Sequence, residues 1–320
     1  MRILLCIAFL AASLGLSEAN ASEWPTKPVR VIVPQIAGST PDIVARMFAD
    51  GMQEKLGVPF VIENKSGAGG NLGTDAIAKA DPDGYTIGVS FAGPLALNKI
   101  LYSKLAYDPE SDLMPITVLT TQPSILAVDT NLGVTTPTQL VDLLRRNPGK
   151  YSYASIGTGS LTHLAMEALG KESGTKLLLV PYPSSPQAVL AVVRGDVQMV
   201  CVPAVSVVSQ LQTGRVKAVA VTSAARSPLM PDLPTLKEAG IDVVAEAWIG
   251  LVAPAKIELA ILNKLSDAAR QVVSAPGFAE KLKPQFMTPV GNSPAEFKAL
   301  LKLEVKRWSP LIEAQKIKVN

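Results

Sequence analysis

The sequence predicts an α/β protein in which parallel sheets are flanked by helices. Three observations lead there. Short apolar, β-branched runs alternate with helical patterns along most of the chain, and glycine and proline turns separate them. Of the 320 residues, 48% are apolar and 18% charged, enough to fill a sizeable core. At roughly 100–200 residues per domain, this length predicts about two domains.

The elements follow in chain order. Met1-Arg2, the apolar stretch Ile3 to Leu16 and the small-residue end Ser17-Glu18-Ala19-Asn20-Ala21 read as a secretory signal peptide over residues 1–21, cleaved after about Ala21. The apolar run of 14 residues is shorter than the roughly 17–25 of a spanning helix. Cys6 lies at the start of that run, where a lipid anchor does not fit, and its removal leaves Cys201 without a disulfide partner. The expected compartment is the periplasm. Val29 to Pro34 then predicts a strand. Thr40 with Pro41 opens a helix carrying Ile43, Val44, Met47 and Phe48 on one face, and Gly57 ends it. A strand over Val58 to Glu63 and a helix from Asn71 to Lys79 flank the turn Gly67-Ala68-Gly69-Gly70. Asp83-Gly84 turns the chain into the strand Tyr85 to Ser90.

The same grammar returns in the middle. Thr136-Pro137 opens a helix with Leu140, Leu143 and Leu144 on one face. Strands over Tyr151 to Ile156, Leu177 to Tyr182, Val197 to Val202 and Lys217 to Thr222 alternate with helices ending near Leu169, Arg194 and Gln212. The tail reads as helices over Ile257 to Val273 and Pro294 to Ala314. There is no long linker, so a second lobe must be an insertion with short crossovers near 123 and 242. That gives lobe 1 as 22–122 with 243–320, and lobe 2 as 123–242.

Composition excludes several function classes. A formal net charge of +3 with no Lys/Arg run does not signal a nucleic-acid binder. One histidine and two cysteines leave no His/Cys metal site. Gly67-Ala68-Gly69-Gly70-Asn71-Leu72-Gly73 is not a dinucleotide fingerprint, because Leu72 stands where the third glycine should be; a tight turn with close helix packing is the better reading. Ser160 and His163 are three apart on one helix. No nucleophile elbow frames the serine, which reads as a cap or ligand contact, while the histidine reads as a hydrogen-bonded structural residue.

In α/β folds, ligands sit beyond the carboxyl ends of strands. Two loops there are rich in small polar residues: Gln35-Ile36-Ala37-Gly38-Ser39-Thr40 and Gly157-Thr158-Gly159-Ser160. Each precedes a helix whose free N–H groups suit an anion, or each is an ordinary turn with a helix cap. Asp42 is either a ligand contact or a charge favourable to the helix dipole.

These residues also carry a family likeness. Val33-Pro34, Gly38, Asp42 to Arg46, Glu63-Asn64-Lys65, Gly67 to Asn71 and Pro82 to Thr86 form one series of motifs. Tyr107-Asp108-Pro109, Tyr153-Ala154-Ser155, Gly157, Gly159-Ser160, His163-Leu164-Ala165, Val180-Pro181-Tyr182, Ala220 to Ser223, Pro231-Asp232, Pro234-Thr235 and Glu238-Ala239-Gly240 continue it. Over nearly the whole mature chain, this resembles the Bug family, the extracytoplasmic solute-binding proteins of tripartite tricarboxylate transporters. The resemblance implies a periplasmic binding protein type II fold, two α/β lobes closing on a small organic carboxylate, delivery to membrane permease subunits, no catalysis, no cofactor and a monomer. A sensory role presenting the ligand to a membrane histidine kinase would use the same pocket; an exported α/β enzyme is the other alternative.

The likeness places ligand contacts at Gln35, Ile36, Gly38, Ser39, Thr40 and Asp42, and at Phe91, Ala92 and Gly93. It adds Gly157, Thr158, Gly159, Ser160 and His163, and then Tyr182, Val202 and Pro203. Several of these depart from the family pattern. Gln35 replaces a Phe, Phe91-Ala92-Gly93-Pro94 a hydroxyl-rich turn, and Cys201-Val202-Pro203 a Phe-Asp-Asn. Hydroxyls and an acid are lost, so the expected ligand has an apolar or aromatic body.

Overall fold

The computed structural model describes residues 24–319; the expected signal peptide and cleavage point lie outside the described residues. The first lobe begins with β1 (Val29–Val33), α1 (Thr40–Leu56), β2 (Phe60–Asn64), α2 (Asn71–Ala78) and β3 (Thr86–Phe91). Strands β2 and β3 lie parallel on either side of β1. The strand is buried on both faces: Val29, Val31 and Val33 enter one core cluster and Ile32 the other. Gly57 stops α1 as expected, with φ +74 and its N–H donating to the Gln53 carbonyl. A π-helical turn over Gly93–Leu97 and the short α3 (Asn98–Leu101) follow β3.

The chain then enters β4 (Leu113–Asp129), 17 residues long. It changes partners partway along. Leu113 to Pro123 pair antiparallel with β9, and Ser124 to Val128 pair antiparallel with β7. The distal half is built from α4 (Pro137–Arg146), β5 (Ser152–Ser155), α5 (Leu161–Ser173), β6 (Leu178–Pro181), α6 (Ser185–Arg194), β7 (Met199–Pro203), α7 (Ala204–Leu211) and β8 (Val216–Val221). The chain returns through β9 (Glu246–Pro254), α8 (Leu259–Ser274), α9 (Pro276–Leu282), β10 (Thr288–Pro289) and α10 (Pro294–Ala314). The main strand order is β2-β1-β3-β9-β4-β7-β5-β6, with β8 and β10 also on β4.

The structure corrects the expectation of purely parallel sheets. The β1–β2, β1–β3, β5–β6 and β5–β7 pairs are parallel, whereas every pair made by β4, β9 and β10 is antiparallel. Strands β4, β9 and β10 are the ones without a sequence-based expectation, together with α3 and α9.

One core cluster sits under α1, α8 and α9, and a second lies within the distal half, around Ile125, Val200 and Val202. The third runs through both halves, from Ile32 and Leu97 to Tyr153, Leu164 and Trp308. Helix α10 makes that continuity, packing on β4, α5 and the π-helical turn. Its start is fixed by Ser293, whose hydroxyl accepts from the Glu296 N–H at 3.2 Å while Glu296 accepts from the Ser293 N–H at 2.7 Å. Cys201 is fully buried on β7, and burial pushes its thiol up to about 12.

The glycine-rich segment is a packing device. Gly67, Ala68, Gly69 and Gly70 all have positive φ and turn the chain tightly into α2. Gly73 then lets α2 lie against β1: a Cβ there would sit 2.6 Å from the Lys65 carbonyl oxygen and 2.6 Å from Pro34 Cα. Alanine normally favours a helix over glycine by about 1 kcal/mol. Here two backbone contacts oppose it, and overpacking of this kind costs about 1–3 kcal/mol. Gly73→Ala should therefore lower the urea midpoint, and an unchanged or raised midpoint would show that α2 is free to shift.

Candidate functional site

The loops after β1, β3 and β5 meet at one cleft of about 370 Å³. Of the expected contacts, it brings together Gln35, Phe91, Ala92, Gly93, Gly157, Thr158, Gly159 and Ser160. Its apolar wall adds Leu97, Leu101, Ile156, Leu161, Trp248 and Val319; its other polar side chains are Asn98 and Tyr102. No Asp, Glu, Lys, Arg or His is among these lining residues. Sequence reasoning missed Leu97, Leu101, Trp248 and Val319. The tail reaches the cleft because the Val319 N–H donates to the Leu101 carbonyl at 3.0 Å, a pairing with no local signal.

Nine expected contacts do not line the cleft. Ile36 is 64% exposed, pointing away from any core. Ser39, not Thr40, occupies the N-cap of α1, and its hydroxyl bonds no backbone N–H. Asp42, two residues inside the helix, takes no first-turn N–H either and is bonded to groups around it instead. Its Oδ2 accepts from the Gly38 N–H at 2.8 Å and from Arg46 Nε at 2.9 Å. Its Oδ1 accepts from Arg46 Nη2 at 3.0 Å and from Asn64 Nδ2 at 2.9 Å. Burial alone would raise this carboxyl, but the hydrogen bonds from Arg46, Gly38 and Asn64 outweigh it and hold Asp42 below the usual carboxylate range. Asp42 is thus a strut for the first loop, with both oxygens engaged by protein donors. Asn64 also donates to the Gln35 carbonyl at 3.0 Å and fixes the loop at its cleft end.

Tyr182 is half-buried beside the distal core, and its N–H is taken by the Ser155 carbonyl at 2.7 Å. Val202 pairs with Ile125 and is wholly buried in that core; Pro203 caps α7. The period-two alternation of β7 turns Val202 inward, away from the cleft.

His163 is 4% exposed and outside the cleft lining, but it shapes the second loop. Its Nδ1 accepts from the Gly159 N–H at 3.0 Å, so the neutral ring carries its proton on Nε2. Nε2 lies 3.8 Å from Glu167 Oε1, the oxygen that also accepts from the Tyr153 hydroxyl at 2.5 Å. The imidazole stacks on Tyr153 with centroids 6.5 Å apart. Ser160 caps α5, its hydroxyl accepting from the His163 N–H at 3.2 Å. Gly157 and Gly159 adopt φ of +134 and +78, which bend the loop around the cleft.

Four N–H groups expected to face an anion are taken by the protein. Gly38 donates to Asp42, Ser39 to Ile36, Gly159 to His163 and Ser160 to Gly157. Among the backbone donors left at the cleft are the Thr158 N–H and, at the open end of α5, the Leu161 N–H, which bond nothing among the described residues; the indole N–H of Trp248, another lining residue, has no partner either. The site therefore offers an acceptor-seeking helix end against a neutral, largely apolar wall. Among the described residues, no group of three His, Cys, Asp or Glu side chains is arranged to hold a metal ion.

Residues 44–317 match the model of the tripartite tricarboxylate transporter family receptor. The protein BugT of Bordetella pertussis is 30% identical, over 97% of this chain and 96% of its own. A solved R. palustris protein with adipate superposes with a TM-score of 0.78 at 30% identity, covering 92% of this chain and 99% of that one. MatC from Rhodopseudomonas palustris with bound malate gives a TM-score of 0.73 at 30% identity, covering 90% and 99%.

Burial pushes the His163 pKa down, against the opposing pull of Glu167. A histidine harder to protonate when folded contributes stability that is complete above its unfolded pKa of about 6.5 and is lost as the pH falls towards the folded value. Burial raises the carboxyls of Glu246 and Glu304, which act in the opposite sense. The informative quantity is therefore the difference between the wild type and His163→Gln. The wild type should lose more stability than the variant between about pH 6.5 and 5. Parallel melting-temperature profiles over that range would exclude a downward shift at His163.

Proposed function

The chain belongs to the tripartite tricarboxylate transporter receptor family, a family of solute-binding proteins, and we propose that it is a periplasmic receptor for a small organic carboxylate with an apolar or aromatic body. The lining of the cleft carries this reading. A carboxylate seats on the open N-terminus of α5 beside Thr158, while Phe91, Leu101, Leu161 and Trp248 receive the body of the solute. An amino-acid ammonium would find no carboxylate there, since Asp42 is saturated by Arg46, Gly38 and Asn64. Citrate, with three charges, would find no Arg or Lys among the lining residues. The solutes of the related structures, adipate and malate, are carboxylates.

In this reading, the lobes are 22–122 with 243–320 and 123–242, consistent with the change of partner on β4 between Pro123 and Ser124. They close on the solute, and the liganded monomer delivers it to membrane permease subunits without chemical conversion. Export follows from the signal peptide over residues 1–21.

A thermal-shift screen over alkyl, aromatic, di- and tricarboxylates and amino acids tests the ligand class. A ligand at 100 times its dissociation constant should stabilise the protein by about 2.7 kcal/mol. Calorimetry should rank an apolar acid above aspartate, glutamate and citrate; the reverse order would refute the neutral-wall reading. At Gly159, with φ +78, a Cβ would meet Leu101 and Val319 at 3.0 Å. Gly159→Val should weaken binding at least tenfold, about 1.4 kcal/mol. Full affinity in a folded variant would remove this loop from the site.

A further inference from the structure

A second, larger concavity of about 660 Å³ lies between α10, the π-helical turn with α3, and the loop before β4. Its floor is apolar: Leu95, Ala96 and Leu113 are each at most 4% exposed. Leu301 and Val305 of α10 form one wall, with Val305 38% exposed to solvent. Above them stand Lys298, Lys302 and Lys306, four residues apart on the same helix. At 1.5 Å per residue, the three ammonium stems spread along about 12 Å. Among the described residues, none of these three has a carboxylate partner. The fourth lysine on the rim, Lys99, is paired with Asp108 at 2.7 Å, and Glu110 is the one acid among the lining residues.

We propose that this groove docks an acidic amphipathic segment of a partner protein, with apolar side chains on the Leu95–Leu301 floor and carboxylates opposite Lys298, Lys302 and Lys306. Three cations strung over about 12 Å exceed what the single head group of an amphiphile neutralises, whereas acids spaced four apart on a facing helix repeat at the same interval. A flat anionic bilayer would meet the lysines but not the recessed floor. The segment that supplies Leu95, Ala96 and Ile100 to the groove also supplies Ala92, Leu97 and Leu101 to the cleft. The docked segment therefore rests on the element that lines the solute site. The proposal does not depend on which solute the cleft holds.

Peptide display on the immobilised protein, counter-selected on the triple variant Lys298→Glu/Lys302→Glu/Lys306→Glu, tests this. Enriched peptides should combine Asp or Glu with Leu, Met or Phe at four-residue spacing. By fluorescence anisotropy they should bind the variant at least tenfold more weakly and bind the wild type more weakly in high salt. If the Glu variant melts early, the corresponding triple Lys→Gln variant should show the same loss. No enrichment, enrichment of peptides without acids, or binding by both triple variants as tight as by the wild type would overturn the proposal. So would lysine-dependent sedimentation with anionic vesicles, or a dimer in sedimentation velocity that the variant dissolves.

Discussion

Strand β4 is the constraint on which the rest of the molecule depends. Its 17 residues, at about 3.3 Å each, make one rod that pairs with β9 along its first part and with β7 and β8 along its second. The C-terminal segment is bound to it by side-chain hydrogen bonds: Thr117 Oγ1 to the Asn292 carbonyl, Thr120 Oγ1 to the Thr288 carbonyl and Gln122 Nε2 to the Gln285 carbonyl, at 2.7, 2.9 and 2.7 Å. All three are polar side chains buried in a sheet, where an unpaired group would cost about 1–3 kcal/mol. Because the returning chain is held at the middle of β4, the loops after β1 and β5 open toward a shared cleft.

The cleft itself is organised by what the protein does with its own donors. Asp42 uses the Gly38 N–H and Asn64 to fix one loop; His163 uses the Gly159 N–H to fix the other. Each strut is buried, with Asp42 at 1% and His163 at 4% exposure. Both hold a glycine with positive φ in place. Fixing the loops in advance means that less conformational entropy is lost when a solute enters. The donors at the head of α5 stay open because the capping bond from Ser160 reaches only the His163 N–H.

Much of the fold was legible because its signals are local. Gly57 as a left-handed stop, Thr136 accepting from the Gln139 N–H, and Pro294 just after a serine cap need only a few neighbouring residues. Strand β4 was not legible. Pro115 and Pro123 lie inside it and argue against a strand; the register with β9 shifts just beyond Pro115, an irregularity that accommodates the ring. About half of the expected contacts line the cleft. Those that do lie on loops that end strands. For two of the nine outside the lining, the reason is long-range. The saturation of Asp42 depends on Asn64, 22 residues away, and the inward turn of Val202 depends on the phase of β7. Trp248 and Val319 arrive by long-range pairing, which periodicity does not encode.

The buried thiol of Cys201 has a practical side. It is the one cysteine among the described residues, it is 1% exposed, and burial keeps it protonated at neutral pH, so alkylating reagents pass it by. A cysteine placed on the outward-facing positions 36 or 72, whose native isoleucine and leucine are 64% and 59% exposed, would be the one thiol among the described residues open to a maleimide dye. Over the described residues the protein is thereby a background-free chassis for an optical reporter, with no accessible sulfhydryl to delete and no core position to repack.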